Sequence, residues 1–244
     1  MPHSVTPAPP PAPAPLPVSA PPPLHHLPAP PPRLALPTGA ALLLVPLLAG
    51  LLLRTGERPF FQGLDDSWAD AARGSSTGPA TEFALWLDHL GGPLGLLLPL
   101  LLTCGLCLYG RWRSALFVLA TAVLANILVA LPLKQLVGRP RPPHTWVLVN
   151  DGSYPSGQVF SAVALVVAVA VVAMPPRARR WWWLFGAGYG AAMMWSRTWL
   201  HTQWLTDTFG GALAGAGACL LLWRAFARLL KTEAERAAAD TLWL

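Results

Sequence analysis

The chain has 244 residues, of which 54% are hydrophobic and only 11% charged, with a mean hydropathy of +0.46. A soluble domain carries roughly 25% charged residues, so this composition excludes an ordinary soluble enzyme and, equally, a disordered chain. A net charge of +6 and a pI near 9.9 raise nucleic acid as a partner. The basic residues, however, fall in loops and motifs between apolar runs, and no separate basic stretch exists, which argues against a nucleic-acid binder. A multi-span membrane protein remains, with room for about six helices of ~20 residues each.

Residues 1–33 form a Pro/Ala-rich tail. Its first 32 residues hold 15 of the 28 prolines and no Lys, Arg, Asp or Glu. Such a stretch favours polyproline II and cannot build a core, so a disordered extension is expected. It lacks the basic start and compact apolar centre of a secretory signal. His3, His25 and His26 lie in it without a metal-site pattern. Cys104, Cys107 and Cys219 are too few for a disulfide scaffold and sit in apolar runs, where plain packing is expected.

Apolar runs follow at about 34–53, 92–109, 113–133, 157–174, 181–196 and 203–226. Each is near spanning length, the fifth being short. They define an all-α membrane domain over 34–230, a six-transmembrane-helix bundle, with 231–244 as a cytoplasmic C-terminal tail. In the first connection, Leu64 to Ala72 reads as a surface amphipathic helix with Leu64 and Trp68 on one face. Residues 79–91 read as a partly buried helix leading into the second span.

Six spans put both termini on one side. With the termini in the cytoplasm, ten of the 17 Lys and Arg residues lie inside and seven outside, the direction the positive-inside rule requires. Trp181, Trp182 and Trp183 follow Arg179 and Arg180, as an interfacial aromatic anchor does. Gly211 and Gly215 in a small-residue run permit close helix packing, with a homodimer contact as the second use of such a face.

Three short stretches flank the ends of the third to sixth runs and reach one membrane face. They are Lys134 to Pro143, Tyr154 to Gln158, and Ser196 to Asp207. Lys134, Arg141 and Arg197 are three cations near the bilayer boundary, where clustered charge is costly unless paired or exposed. A phosphate group offers bidentate acceptors to Arg and a point partner to Lys. Pro155-Ser156-Gly157 opens a helix, so the Ser156 and Gly157 amides are free to meet an anion. Gln203 and Asp207 stand at i and i+4 and share a helix face. Each cation alone reads as a lipid-headgroup anchor. Together the three stretches read as a phosphate cradle.

These stretches resemble the motifs of the type-2 phosphatidic acid phosphatase superfamily, which includes bacterial lipid phosphatases and undecaprenyl-diphosphate phosphatases. The family's first motif is Lys, six residues, Arg-Pro, matched by Lys134 and Arg141-Pro142. Its second, Pro-Ser-Gly-His, is matched by Pro155-Ser156-Gly157 with Gln158 in the last place. Its third is Ser-Arg, five residues, His, three residues, Asp, matched by Ser196-Arg197, Gln203 and Asp207. The resemblance covers about 85–225 and implies a six-helix fold with an extracytoplasmic site. It also implies roles. Position 203 would carry the nucleophile, Asp207 would orient it, and position 158 would protonate the leaving group. Glutamine occupies both histidine positions. An amide neither attacks phosphorus nor titrates near neutral pH, and loss of general acid catalysis alone costs ~10²–10⁴ in rate.

His201, two residues before Gln203, stands ~200° away on a helix and reaches the site only if the helix starts after it. His144 lies in the loop between the first two motifs. The catalytic candidates are thus Gln158, Gln203, Asp207 and His201, and the phosphate-binding candidates are Lys134, Arg141, Ser156, Gly157 and Arg197. No metal and no cofactor is implied. Two functions follow. One is a membrane phosphatase acting on a lipid phosphate or polyprenyl (di)phosphate. The other is a pseudophosphatase that keeps the phosphate site for lipid binding, sensing or transport. Both place the protein in a membrane, the plasma membrane of a bacterium by composition.

Overall fold

The computed structural model describes residues 28–55, 58–72, 77–147 and 151–241, and all regular structure among them is helical. The elements are α1 (Ala35–Arg54), α2 (Gln62–Ala71), α3 (Pro79–Gly91), α4 (Pro93–Leu108), α5 (Trp112–Val137), α6 (Gly157–Val172), α7 (Pro176–Trp199) and α8 (Leu205–Thr241). Proline starts α3, α4 and α7, where its missing N–H costs nothing and its φ suits a first turn. The middle of α5 widens into π-helix over Ala120–Leu124 and Asn126–Ala130. It stops at Gly138, whose φ of +58° gives a left-handed cap with its N–H on the Lys134 carbonyl (3.0 Å).

α8 is the central helix, lying against α1 on one side and α6 on the other. Its glycines set those distances. A Cβ at Gly211 would lie 2.3 Å from the Ser156 carbonyl oxygen, one at Gly215 would lie 2.8 Å from that of Phe160, and one at Gly217 would lie 2.8 Å from that of Gly39. The Gly211–Gly215 face is therefore used inside the chain, against α6, and is closed to a second copy. Buried side chains of α5, α6 and α8 form the core, among them Phe117, Val118, Phe160, Val171, Val172, Ala214 and Trp223. Large apolar side chains of α1, α4, α5 and α7 point outward, including Leu44, Leu48, Leu97, Leu101, Leu128 and Leu184, as lipid-facing surface does.

Three helices are long and apolar enough to cross a membrane: Ala35–Arg54, Trp112–Val137 and Leu205–Ala239. A fourth is obtained if Pro79–Gly91 and Leu94–Leu108, bent by 44°, form one span. α6 is apolar but has 16 residues, and α7 has 24 but carries three arginines in its first turns. Length and apolarity thus give three or four of the six expected spans.

The structure departs from the sequence reading at several points. Residues 1–27 of the Pro-rich tail lie outside the described residues, but Ala29 is packed. Its N–H donates to the Val171 carbonyl (2.9 Å), and its carbonyl accepts from the Trp223 indole (2.9 Å). The extended backbone beside Pro28 and Pro30 thus satisfies a carbonyl at the end of α6. At the other terminus no break occurs at 231. The Ala-, Glu- and Lys-rich sequence continues α8 to Thr241. There Glu233 accepts the backbone N–H groups of Arg113 and Ser114 (3.0 Å each), capping α5, and pairs with Arg111 at 3.3 Å. Cys219 is buried as expected, whereas Cys104 and Cys107 are exposed on α4. α2 forms where a surface amphipathic helix is expected, with Leu64 and Trp68 both outward; the unexpected feature is its buried residue, Asp65.

Gly211→Ala should destabilise the bundle by ~1–3 kcal/mol, because backbone and not a flexible side chain blocks the added methyl. Gly188→Ala, with nothing within 4 Å, should be neutral or slightly stabilising. Thermal unfolding in detergent, followed by tryptophan fluorescence, compares the two; equal melting would contradict the close-contact account.

Candidate functional site

The three motif stretches converge on a cavity of about 450 Å³. Its lining includes Lys134, Arg141, Gly157, Gln158, Arg197 and Gln203. Lys134 comes from the last turn of α5. Arg141 follows on the Pro140–Pro143 arm, Gln158 opens α6, Arg197 closes α7, and Gln203 precedes α8. The α3–α4 bend at Gly91 and Gly92 forms the opposite wall. Asn126, in the π-wound part of α5, also lines it and donates to the Gly157 carbonyl at 2.9 Å. A π-segment beside a site is a common device for turning one side chain inward.

Each cradle cation is already paired with a carboxylate. Asp151 takes Lys134 Nζ on Oδ2 (2.8 Å) and Arg141 Nη2 on Oδ1 (2.5 Å). Arg141 also donates from Nε to the Asp151 carbonyl (2.9 Å) and from Nη1 to that of Thr202. Arg197 pairs with Asp88 of α3, and Gln158 Nε2 donates to the same Asp88 oxygen at 3.1 Å. Burial alone would raise the Asp151 carboxyl, but the Lys134 and Arg141 hydrogen bonds and charges outweigh it and hold it below its ordinary range. A depressed carboxylate keeps its pairing above that range and loses it only as pH falls through the lowered value. The Asp151 bridges are therefore intact at neutral pH.

A second cluster, with a buried centre, lies beside the cavity. Arg139 Nη1 donates to Asp207 Oδ1 (2.6 Å) and Thr206 Oγ1 (2.9 Å), and Nη2 donates to Asp65 Oδ2 (2.7 Å) and Gln62 Oε1 (2.6 Å). Asp65 also accepts the Thr206 N–H (2.9 Å) and hydroxyl (2.6 Å). Both carboxylates are completely buried. The cluster fastens α2 to the start of α8 through the arm that carries Arg141.

The expected site residues divide accordingly. Lys134, Arg141, Arg197, Gly157, Gln158 and Gln203 share one cavity. Ser156 is buried behind it: its N–H is taken by the Asp207 carbonyl (3.0 Å), and its hydroxyl caps α6 by accepting from Val159 N (3.4 Å). Asp207 faces Arg139, and its other oxygen accepts the Trp204 N–H (2.9 Å). Gln203 Nε2 turns instead to the Ser153 carbonyl (3.4 Å). His201 sits at φ +52° in the α7–α8 turn with its ring 6.0 Å from that of Trp146, outside the lining. His144 is exposed in the loop.

Motif spacing points to none of Asp65, Asp88, Asn126 and Asp151. A lone acid inside the apolar stretch Leu85–Leu90 is itself a signal, since a charge at membrane depth needs a partner; Asp88 fits that description. Among the described residues no three His, Cys, Asp or Glu side chains come together as a metal requires.

Residues 114–231 match the family model of the PAP2 superfamily. That match bears out the resemblance carried by the three motifs. The chain is also similar to a crystal structure described as the first transmembrane PAP2 type phosphatidylglycerolphosphate phosphatase from Bacillus subtilis. The TM-score is 0.64 at 22% identity, covering 77% of this chain and 96% of that one. At that identity the likeness establishes the fold alone, and together with the apolar helices it indicates an integral membrane protein. No curated protein sequence matches the chain.

Arg139→Ala should cost ~3–5 kcal/mol, the typical effect of stripping the partner from buried charge, here from Asp65 and Asp207 at once. Adding Asp65→Asn to that variant should recover part of the loss. Urea or thermal titration of the two variants in detergent measures it; a loss unaffected by the second change would refute direct coupling.

Proposed function

We propose that this PAP2-superfamily membrane protein binds the phosphate group of a membrane lipid in the Lys134–Arg141–Arg197 cavity and does not turn it over by the histidine route. The observation that carries this reading is the cavity lining. Three cations of the family's motifs converge there with Gln158 and Gln203, and no histidine is among the lining residues. Cations recognise the phosphate by charge and bidentate geometry. An amide at 203 supplies no nucleophile and one at 158 no proton. The position of Asp207 supports the same reading. A nucleophile needs an oriented base or partner, and Asp207 is spent on Arg139 and Trp204. His201, its ring tilted at 6.0 Å from that of Trp146, is not among the lining residues.

Six spans with cytoplasmic termini complete the proposal. α6 and α7 would join the three or four clear spans, their polar ends covered by headgroups and by neighbouring helices. Arg33, Arg111, Arg113, Arg177, Arg179 and Arg180 lie at the end opposite the cavity, which favours that end as the cytoplasmic one. The cavity would then open to the extracytoplasmic side of a bacterial plasma membrane.

The purified full chain should release no phosphate from phosphatidic acid or undecaprenyl diphosphate. It should bind short-chain anionic phospholipid, with at least ~10-fold weaker binding in Lys134→Ala, a loss of about 1.4 kcal/mol. Phosphate release that disappears in Lys134→Ala would replace the binding reading with a phosphatase one.

A further inference from the structure

We infer that the cavity is matched to a monoanionic phosphodiester headgroup bearing hydroxyl groups, and that Asp88, Asp151, Gln158 and Gln203 set this selectivity. The inference rests on the lipid-phosphate reading above and narrows its ligand.

Charge comes first. Lys134, Arg141 and Arg197 contribute three positive charges at the cavity, and their bridging partners Asp88 and Asp151 return two negative ones. One net positive charge remains. A phosphate monoester carries about −1.5 to −2 near neutral pH because its second pKa is about 6, and a diphosphate carries more. A phosphodiester carries one negative charge at any such pH. Asp151 stays ionised there, as its Lys134 and Arg141 contacts hold it below the ordinary carboxylate range. A dianion would have to displace one carboxylate or leave charge uncompensated, whereas a diester matches the single excess charge of these five groups, and the two carboxylates around Arg139 beside the cavity disfavour the dianion further.

Hydrogen bonding gives the second argument. Arg197 Nε is buried with no partner, a donor available to a phosphate oxygen. Gln158 and Gln203 are arranged the opposite way. Their amide nitrogens are turned onto protein acceptors, Asp88 and the Ser153 carbonyl. Their Oε1 atoms are buried and unpartnered, and both residues line the cavity, Gln203 being only 4% exposed. A buried acceptor without a donor is costly, and two of them beside an anion site repel phosphate oxygens. They are satisfied by a ligand whose phosphate is flanked by O–H donors. Histidines at these positions could donate to an anion; the glutamines present acceptors. Donor, net charge and acceptors together describe a polyol phosphodiester such as a glycerol headgroup. A zwitterionic ammonium headgroup would leave the excess positive charge unbalanced.

The test is calorimetric titration of the detergent-solubilised full chain with four short-chain probes: phosphatidylglycerol, phosphatidylmethanol, phosphatidylethanolamine and phosphatidic acid. Phosphatidylglycerol should bind at least ~10-fold more tightly than each of the others, a gap of about 1.4 kcal/mol. Gln203→Leu should erase its advantage over phosphatidylmethanol, the diester without hydroxyls. Asp151→Asn should shift preference toward phosphatidic acid. Phosphatidic acid binding as tightly as phosphatidylglycerol in the unaltered chain, with both lost in Lys134→Ala, would overturn the diester inference and leave lipid-phosphate binding standing. Equal binding of phosphatidylmethanol and phosphatidylglycerol would overturn the role given to the glutamines. Binding of none of the four would overturn both readings. Because these comparisons use the unaltered chain, they hold even if a variant fails to fold.

Discussion

Charge pairing at the cavity end of the bundle is the constraint from which the remaining arrangement follows. Four cations, Lys134, Arg139, Arg141 and Arg197, are brought there by the ends of α5 and α7. A charge at that depth is tolerated only with a partner. Asp65, Asp88, Asp151 and Asp207 supply those partners. Three come from segments that would otherwise be plain connections: α2, α3 and the loop before α6. The first connection is therefore not a passive link. It brings Asp65 to the start of α8 and Asp88 to the end of α7, and so helps fix where the cavity cations stand.

Backbone approach in α8 serves the same end. Tyr154 is wedged between α1 and α8, its hydroxyl on the Pro46 carbonyl at 2.6 Å. A Cβ at Gly210 would come within 2.6 Å of its ring. The next residues, through Ser156, lie over Gly211. The start of α6, and with it Gln158, is thus located by contacts on α8 as well as by its own cap. This explains why the motif reads Pro-Ser-Gly. Proline and serine begin the helix, and the Ser156 backbone is packed and bonded into the fold while Gly157 is left at the cavity wall. Ser156 is accordingly a structural residue here, and the amide expected to greet the anion is already committed.

Much of this was legible in the sequence, and its limits are physical. The apolar runs locate the helices because hydrophobicity is a local property. The motif spacing gathers Lys134, Arg141, Arg197, Gln158 and Gln203 because equal spacing on helix ends yields equal placement. The partners were not legible. Asp65 and Asp88 act across 141 and 109 residues of sequence, on Thr206 and Arg197 respectively, and no local period encodes such pairs. Leu64 and Trp68 share the outward face of α2, as its amphipathic reading expects, whereas its inner face was not legible. In a membrane, apolar side chains on a surface helix gain by facing lipid, so the buried face of α2 is its acidic one. Ala29, within the stretch read as tail, is docked by its backbone bonds to Val171 and the Trp223 indole and by burial of its methyl, contacts that composition does not foretell.

The Asp207–Arg139 pair bears on how the two glutamines are to be understood. Were Gln158 and Gln203 isolated replacements in an otherwise catalytic frame, Asp207 would remain aimed at position 203. It is instead held by Arg139, which is also bonded to Gln62, Asp65 and Thr206. Releasing it would leave a buried guanidinium short of one partner, a penalty of the kind that keeps such clusters intact. Position 203 in turn has its nitrogen on the Ser153 carbonyl and its oxygen buried without a partner. Both glutamines are thus tied by their amide nitrogens into the surrounding hydrogen bonds. Cations paired with built-in acids, and an aspartate held by Arg139, are the features on which the proposed binding role rests.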